Sequence, residues 1–120
     1  RGNGKMKIKL AKIVGSNEPL SKLMTSVVPI STAFRLKEVL KEVQKSLESY
    51  DETRKELITK HGKDGEITPK SKDWDKFVTG MNELLETETK LDVEKINQSA
   101  LSKVEISASD ISALDWLIKE

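Results

Sequence analysis

The chain has 120 residues, no cysteine, and 21 Lys and Arg against 20 Asp and Glu, a net charge of +1 with 34% of residues charged. This length supports one modest core rather than two; the absence of cysteine excludes disulfides, thiolate chemistry and Cys-ligated metals. Near-neutrality argues against a general nucleic-acid binder, whose basic face would tip the sum.

Mixed charges spread along the chain describe solvated helical surface. No run approaches the ~20 apolar residues of a membrane span, and no apolar signal segment leads the chain. The expectation is a soluble, intracellular protein with no membrane contact, folded as a single domain over residues 6–120. "RGNGK" precedes Met6, so residues 1–5 read as an added remnant ahead of a natural start and are set aside from the fold.

"MKIKLAKIVG" places Met6, Ile8 and Leu10 on one side and Lys7 and Lys9 on the other, the period of a half-buried strand. Gly15 and "SNEP" stop it, and Ser16 or Asn17 caps a short helix with Pro19 in its first turn. Val27, Val28 and Pro29 form an extended connector. Ser31 or Thr32 then caps a long helix whose apolar seam is Leu36, Leu40, Val43, Leu47, Tyr50 and Leu57, with Arg54 where the next apolar residue is due. It runs to about His61 and ends at Gly62, the residue type suited to a left-handed stop. Thirty residues make a rod of roughly 45 Å.

"GKDGEITP" is a turn, and a second helix starts at Thr68 to Ser71 and runs to about Glu88, with Trp74, Phe77, Met81 and Leu84 in step. Two seams joined by a short turn predict an antiparallel helical hairpin. The second helix then covers Leu47 to Leu57, with Arg54 at the rim, and a small sheet and the closing helix cover Phe34 to Val43. Alternation returns at Leu91 and Val93 and again at Val104 and Ile106. Ser107 with Asp110 is a capping pattern ahead of a closing helix through Ile111, Leu114, Leu117 and Ile118. The fold class is α+β: a long antiparallel helical hairpin packed on a small three-stranded sheet with short flanking helices, in the order β-α-α-α-β-β-α. "IKLAKIVGSNEPLSKL" and "LDVEKINQSALSKV" share a pattern that a duplication would explain, as would two similar segments at the edge of one core.

Catalytic chemistry finds no foothold. His61 is the one histidine, at a helix C-terminus where it serves the terminal carbonyls. Pairs such as Asp73 and Asp75 or Glu83 and Glu86 lie on exposed faces, without the burial that raises a carboxyl pKa for acid catalysis. "HGKDGEITPK" lacks the spacing of a phosphate loop and the carboxylate ladder of a calcium loop. No catalytic, cofactor or metal residues are assigned. Lys7, Lys9 and Lys12, with Lys5, form a candidate basic patch on the first strand, although lysines on an edge strand equally guard against aggregation. For partner binding the candidates are Trp116 and Leu117, on a closing helix with a surplus aromatic, and Tyr50 on the uncovered flank of the long helix.

"MKIKLAKIV", "PISTAF", the long helix ending in "KHG" and "ISASDISAL" together resemble a family of small, mostly uncharacterised proteins of tailed phages and prophages of Gram-positive bacteria. In that family the long helix ends in a Lys-Tyr-Gly-like turn, where Lys60 and His61 stand here. The resemblance covers nearly the whole chain from Met6, and its motifs are structural. It implies a phage origin and expression in the cytoplasm of a bacterial host, with the virion as a second location. The expected function is that of a non-enzymatic tail or assembly accessory acting on an unknown phage or host protein, as a monomer or weak dimer. The alternatives are a small inhibitor of a host enzyme or defence system, and a weak nucleic-acid-binding module.

Overall fold

A computed structural model of the chain describes residues 5–119. Arg1 to Gly4, most of the segment read as a remnant, lie outside the described residues, and the first strand already includes Lys5. Strand β1 (Lys5–Lys9) pairs antiparallel with β2 (Glu88–Asp92), Met6 opposite Leu91 and Ile8 opposite Thr89. Ile8 and Leu91 are buried while Lys7, Lys9, Glu88, Lys90 and Asp92 are exposed, so one face meets the core and the other meets water.

The chain then turns straight into helix α1 (Leu10–Met24), which is longer than the sequence pattern suggests and includes Gly15. Its buried stripe is Leu10, Ile13, Ser16, Leu20 and Leu23, the three-and-four spacing of an inward helix face. Pro19 sits inside the helix, beyond its first turn, and withholds the N–H that would meet the Gly15 carbonyl. Gly15 is exposed, with open space where a Cβ would stand.

Helix α2 (Ile30–His61) has 32 residues, a length of about 48 Å in a molecule whose longest extent is 51 Å. Extended Pro29 is its N-cap, and Thr32, expected as a cap, is instead buried on the core face. Leu36, Val39 and Val43 are fully buried against α1 and β2, whereas Leu40, Leu47, Tyr50 and Leu57 are half-buried. The closing helix packs on α1 rather than over the start of α2, and Phe34 faces outward.

Gly62 ends α2, though not in the left-handed region: its φ of −100° and ψ of −169° are extended. Its value is close approach, because a Cβ there would collide with the Glu66 carbonyl oxygen and stand 2.7 Å from that of Ile58. Lys63 and Glu66 exchange backbone hydrogen bonds of 2.9 and 3.1 Å around Asp64 (φ 55°) and Gly65 (φ 76°). Two positive φ angles at a central Asp-Gly make the tight turn that matches strand twist.

Helix α3 (Trp74–Glu86) begins later than expected, because Thr68 to Ser71 close a turn of their own: the Thr68 N–H donates to Ser71 Oγ at 2.9 Å. It packs back along α2, and an added Cβ at Gly80 would stand 3.0 Å from Leu57 Cδ2. Trp74 and Phe77 stack obliquely at 5.5 Å along its inner stripe. The expected hairpin is present.

The expected three-stranded sheet is not what forms. After β1–β2, strand β3 (Ile96–Asn97) pairs in parallel with β4 (Ile118–Lys119), two short pieces of two strands each. Val104 and Ile106 contribute half-buried side chains from irregular chain, with the Val104 N–H donated to Leu101 O at 3.0 Å. The two similar segments begin in paired strands, Ile8 in β1 and Leu91 in β2, but these residues face Thr89 and Met6 rather than each other, and one segment continues as α1 while the other continues as a loop, β3 and a 3-10 turn.

Helix α4 (Ala108–Ala113) starts as the sequence predicts, with Ser107 Oγ accepting from the Asp110 N–H at 3.0 Å. Ser107→Ala should therefore cost about 1 kcal/mol, measured by urea unfolding; an unchanged midpoint would show that the cap contributes nothing. The helix stops after six residues, and the chain bends through Leu114 to Leu117 so that β4 reaches β3, with Ile96 N–H donating to Leu117 O at 2.8 Å.

Candidate functional site

The bend after α4 decides the fate of two expected partner residues. Trp116 is 6% exposed and Leu117 is 0% exposed, so both belong to the core and neither offers an anchor to another protein. The Trp116 indole Nε1–H donates to Ser16 Oγ at 2.8 Å. Ser16 in turn sits within 2.6 Å of Lys12 O and 3.0 Å of Ala113 O, carbonyls that can accept its single hydroxyl hydrogen. A polar atom on the inner face of α1 thereby serves the indole of a residue 100 positions away. Tyr50 is half-buried against the core cluster.

The lysines do not form one patch. Lys7 and Lys9 stand on the exposed face of β1, while Lys12 lies on α1. Lys9 Nζ is 2.8 Å from Glu86 Oε1, and this hydrogen bond and the charge of Glu86 raise its pKa. Lys12 Nζ meets Asp115 Oδ1 at 2.9 Å and donates to Ser112 O at 3.0 Å. Two of the three cations are thus balanced by acids that the fold brings from distant sequence.

A further ion pair ties α4 to α1: Lys22 Nζ and Asp110 Oδ2 are 2.9 Å apart, with the Asp110 side chain 11% exposed. The Lys22 hydrogen bond holds the Asp110 carboxyl below its ordinary value against the opposing effect of burial, with help from the Ser107 hydroxyl and amide. Lys22 is raised by the same bond. A depressed acid contributes stability that is present above its unfolded pKa, near 3.8, and lost as pH falls through the folded value. A raised lysine contributes stability that is complete below 10.5 and lost as pH rises through its folded value. Asp110→Asn should flatten both limbs of the stability profile, read from thermal midpoints between pH 2 and 11; an acid limb identical to the parent's would exclude this pair as its source.

His61 is half-buried at the end of α2. Among the described residues, no three or more His, Asp or Glu side chains converge as they would around a metal ion. Among the described residues, no helix is long and apolar enough to cross a membrane.

What stands out at the surface lies elsewhere. Val27, Ile30 and Phe34 are 86%, 76% and 62% exposed, and Ile30 and Phe34 are four residues apart on one face at the head of α2. Ile111, 47% exposed, belongs to α4, whose Asp110 is bound to Lys22 one turn before α1 ends. Sequence reading placed Phe34 in the core, but the seam's own phase excludes it: one turn back from Leu36 is Thr32, which is buried. Phe34, two residues from Leu36, lies roughly 200° away around the helix.

Set against protein-family models, curated proteins and solved structures, the chain matches none of them.

Proposed function

We propose that the chain is a non-enzymatic accessory protein of a tailed phage or prophage, related to tail or assembly, that acts by binding another protein. The observation that supports this mode of action is the apolar corner of Val27, Ile30 and Phe34: three large side chains within eight residues, all held in water. Isolated exposed apolar residues are ordinary, whereas a group of them marks an interaction surface. The resemblance of "PISTAF" and "ISASDISAL" to phage proteins supports the origin, and with it a bacterial cytoplasm or a virion as the location.

An inhibitor of a host enzyme or defence system would use the same corner, so partner identity separates the two readings. Nucleic-acid binding has less support, because Lys9 and Lys12 are engaged by Glu86 and Asp115. Affinity capture during infection should recover tail or assembly proteins, and the double variant Ile30→Ser, Phe34→Ser should lose them while keeping its thermal midpoint. Recovery of a host enzyme alone would favour the inhibitor. An unchanged set of partners in the variant would remove the corner from consideration.

A further inference from the structure

The two edges of the β1–β2 pair differ in what lies beside them. In an antiparallel ladder, alternate residue pairs turn their N–H and C=O groups toward each other, and the pairs between them turn outward. Leu10 N–H donates to Thr87 O at 2.9 Å, directly opposite in the register that pairs Lys9 with Glu88. Ile8 with Thr89 and Met6 with Leu91 are then the inward pairs, and Lys5 and Lys7 turn their backbone groups to the outer edge of β1, as does the Lys9 N–H, while the Lys9 C=O is the N-cap carbonyl of α1. The same alternation points the Asp92 N–H outward from β2, and there Glu42 Oε1 of α2 accepts from it at 3.4 Å. Helix α2 packs against β2, while β1 has substantial contact only with β2 and with α1, which follows it in the chain. Among the described residues, the β2 edge is covered and the β1 edge is open.

Charge says what can pair there. Lys7 stands directly opposite Lys90 in an outward pair, the kind in which side chains come closest, and both are exposed. Among the described residues neither takes part in an ion pair, whereas neighbouring Lys9 has Glu86. A second copy of the chain, centred on Lys7, would set Lys7 against Lys7 and add to this repulsion. A strand with an acidic residue opposite Lys7 would relieve it.

We propose that the open edge of β1 receives an extended acidic segment of a partner protein as a third strand, hydrogen-bonded to the outward N–H and C=O of Lys7 and to the N–H of Lys9. Alternate guest residues would be Asp or Glu on the lysine face, with apolar residues between them beside Met6 and Ile8. The proposal rests on the reading that the chain acts on other proteins, but it does not use the apolar corner.

The test titrates the full chain at low ionic strength with a short peptide alternating Glu and Val, and with the same peptide carrying Lys in place of Glu. The readouts are peptide anisotropy and amide hydrogen exchange at Lys7 and Lys9. The Glu peptide should bind, weaken as salt rises, and slow exchange at Lys7 and Lys9 by about tenfold or more. Lys7→Glu, an exposed substitution, should weaken the Glu peptide by about tenfold. Absence of binding, equal binding of the Lys peptide, or binding without slowed exchange at these amides would each overturn strand addition. Slowing that rises with protein concentration in the absence of peptide would assign the edge to a second copy instead. Ile30→Ser, Phe34→Ser should bind the Glu peptide as the parent does, so loss of captured partners in that variant bears on the corner alone.

Discussion

Trp116→Ala is expected to lower the free energy of unfolding by about 3–5 kcal/mol, the largest effect foreseen for a single side chain in this molecule. The indole is 6% exposed, and it packs where α4, the bend after it and α1 meet. A chain of this length has a total stability of roughly 6–18 kcal/mol, so the loss is a sizeable share of the whole. Ser16→Ala should cost about 1–3 kcal/mol, because the Trp116 Nε1–H would be left in the core without its 2.8 Å acceptor. Trp116→Phe removes that donor, and in its background Ser16→Ala should be milder by about 1 kcal/mol. Urea unfolding of the four proteins measures the cycle. A Trp116→Ala midpoint equal to the parent's would return this ring to the surface and reopen its candidacy as an anchor.

Two glycines should respond to alanine with opposite signs. Gly62→Ala places a Cβ against two backbone carbonyl oxygens, that of Ile58 in the last turn of α2 and that of Glu66 in the turn that follows it. Since neither can yield without moving the turn, a loss of ~2–3 kcal/mol is expected. Gly15→Ala adds its Cβ to open space on an exposed helical position and should gain ~0.5–1 kcal/mol. Thermal or urea midpoints of both variants decide it. A neutral Gly62→Ala would mean that the Lys63 to Glu66 turn is displaced freely, and the close approach would then carry no cost.

Local periodicity was legible wherever one pattern acted alone. The alternation of β1, the extent of α2, its return through α3 and the Ser107 cap all follow from neighbours in sequence. The start of α1 was obscured because Leu10 belongs both to the alternating set Met6, Ile8, Leu10 and to the helical set Leu10, Ile13, Leu20, Leu23. Ser16 hid the second set, being a polar residue on an inward face whose hydroxyl finds carbonyls to serve. Alternation at Val104 and Ile106 did not yield a strand, since strand formation needs a partner and the nearby ladder joined Ile96 to Ile118. The candidate site was less legible still. Trp116 is turned inward by a bend that a non-local pairing requires, and Lys9 and Lys12 are paired with Glu86 at the end of α3 and Asp115 after α4, both distant in sequence. Phe34 is a different case: its outward phase, two residues from Leu36, is legible in the helical period itself.

The hydrogen bond from Trp116 to Ser16 also bears on the order in which the protein can be made. Helix α1 packs chiefly on α2, yet its inner face also needs α4, and its Ser16 meets Trp116 from 100 residues later. The contacts between α2 and α3 are closer in sequence and can form while the chain is still growing. The hairpin can therefore form ahead of the full core, which closes over α1 only when α4 and the bend at Leu114 to Leu117 are in place.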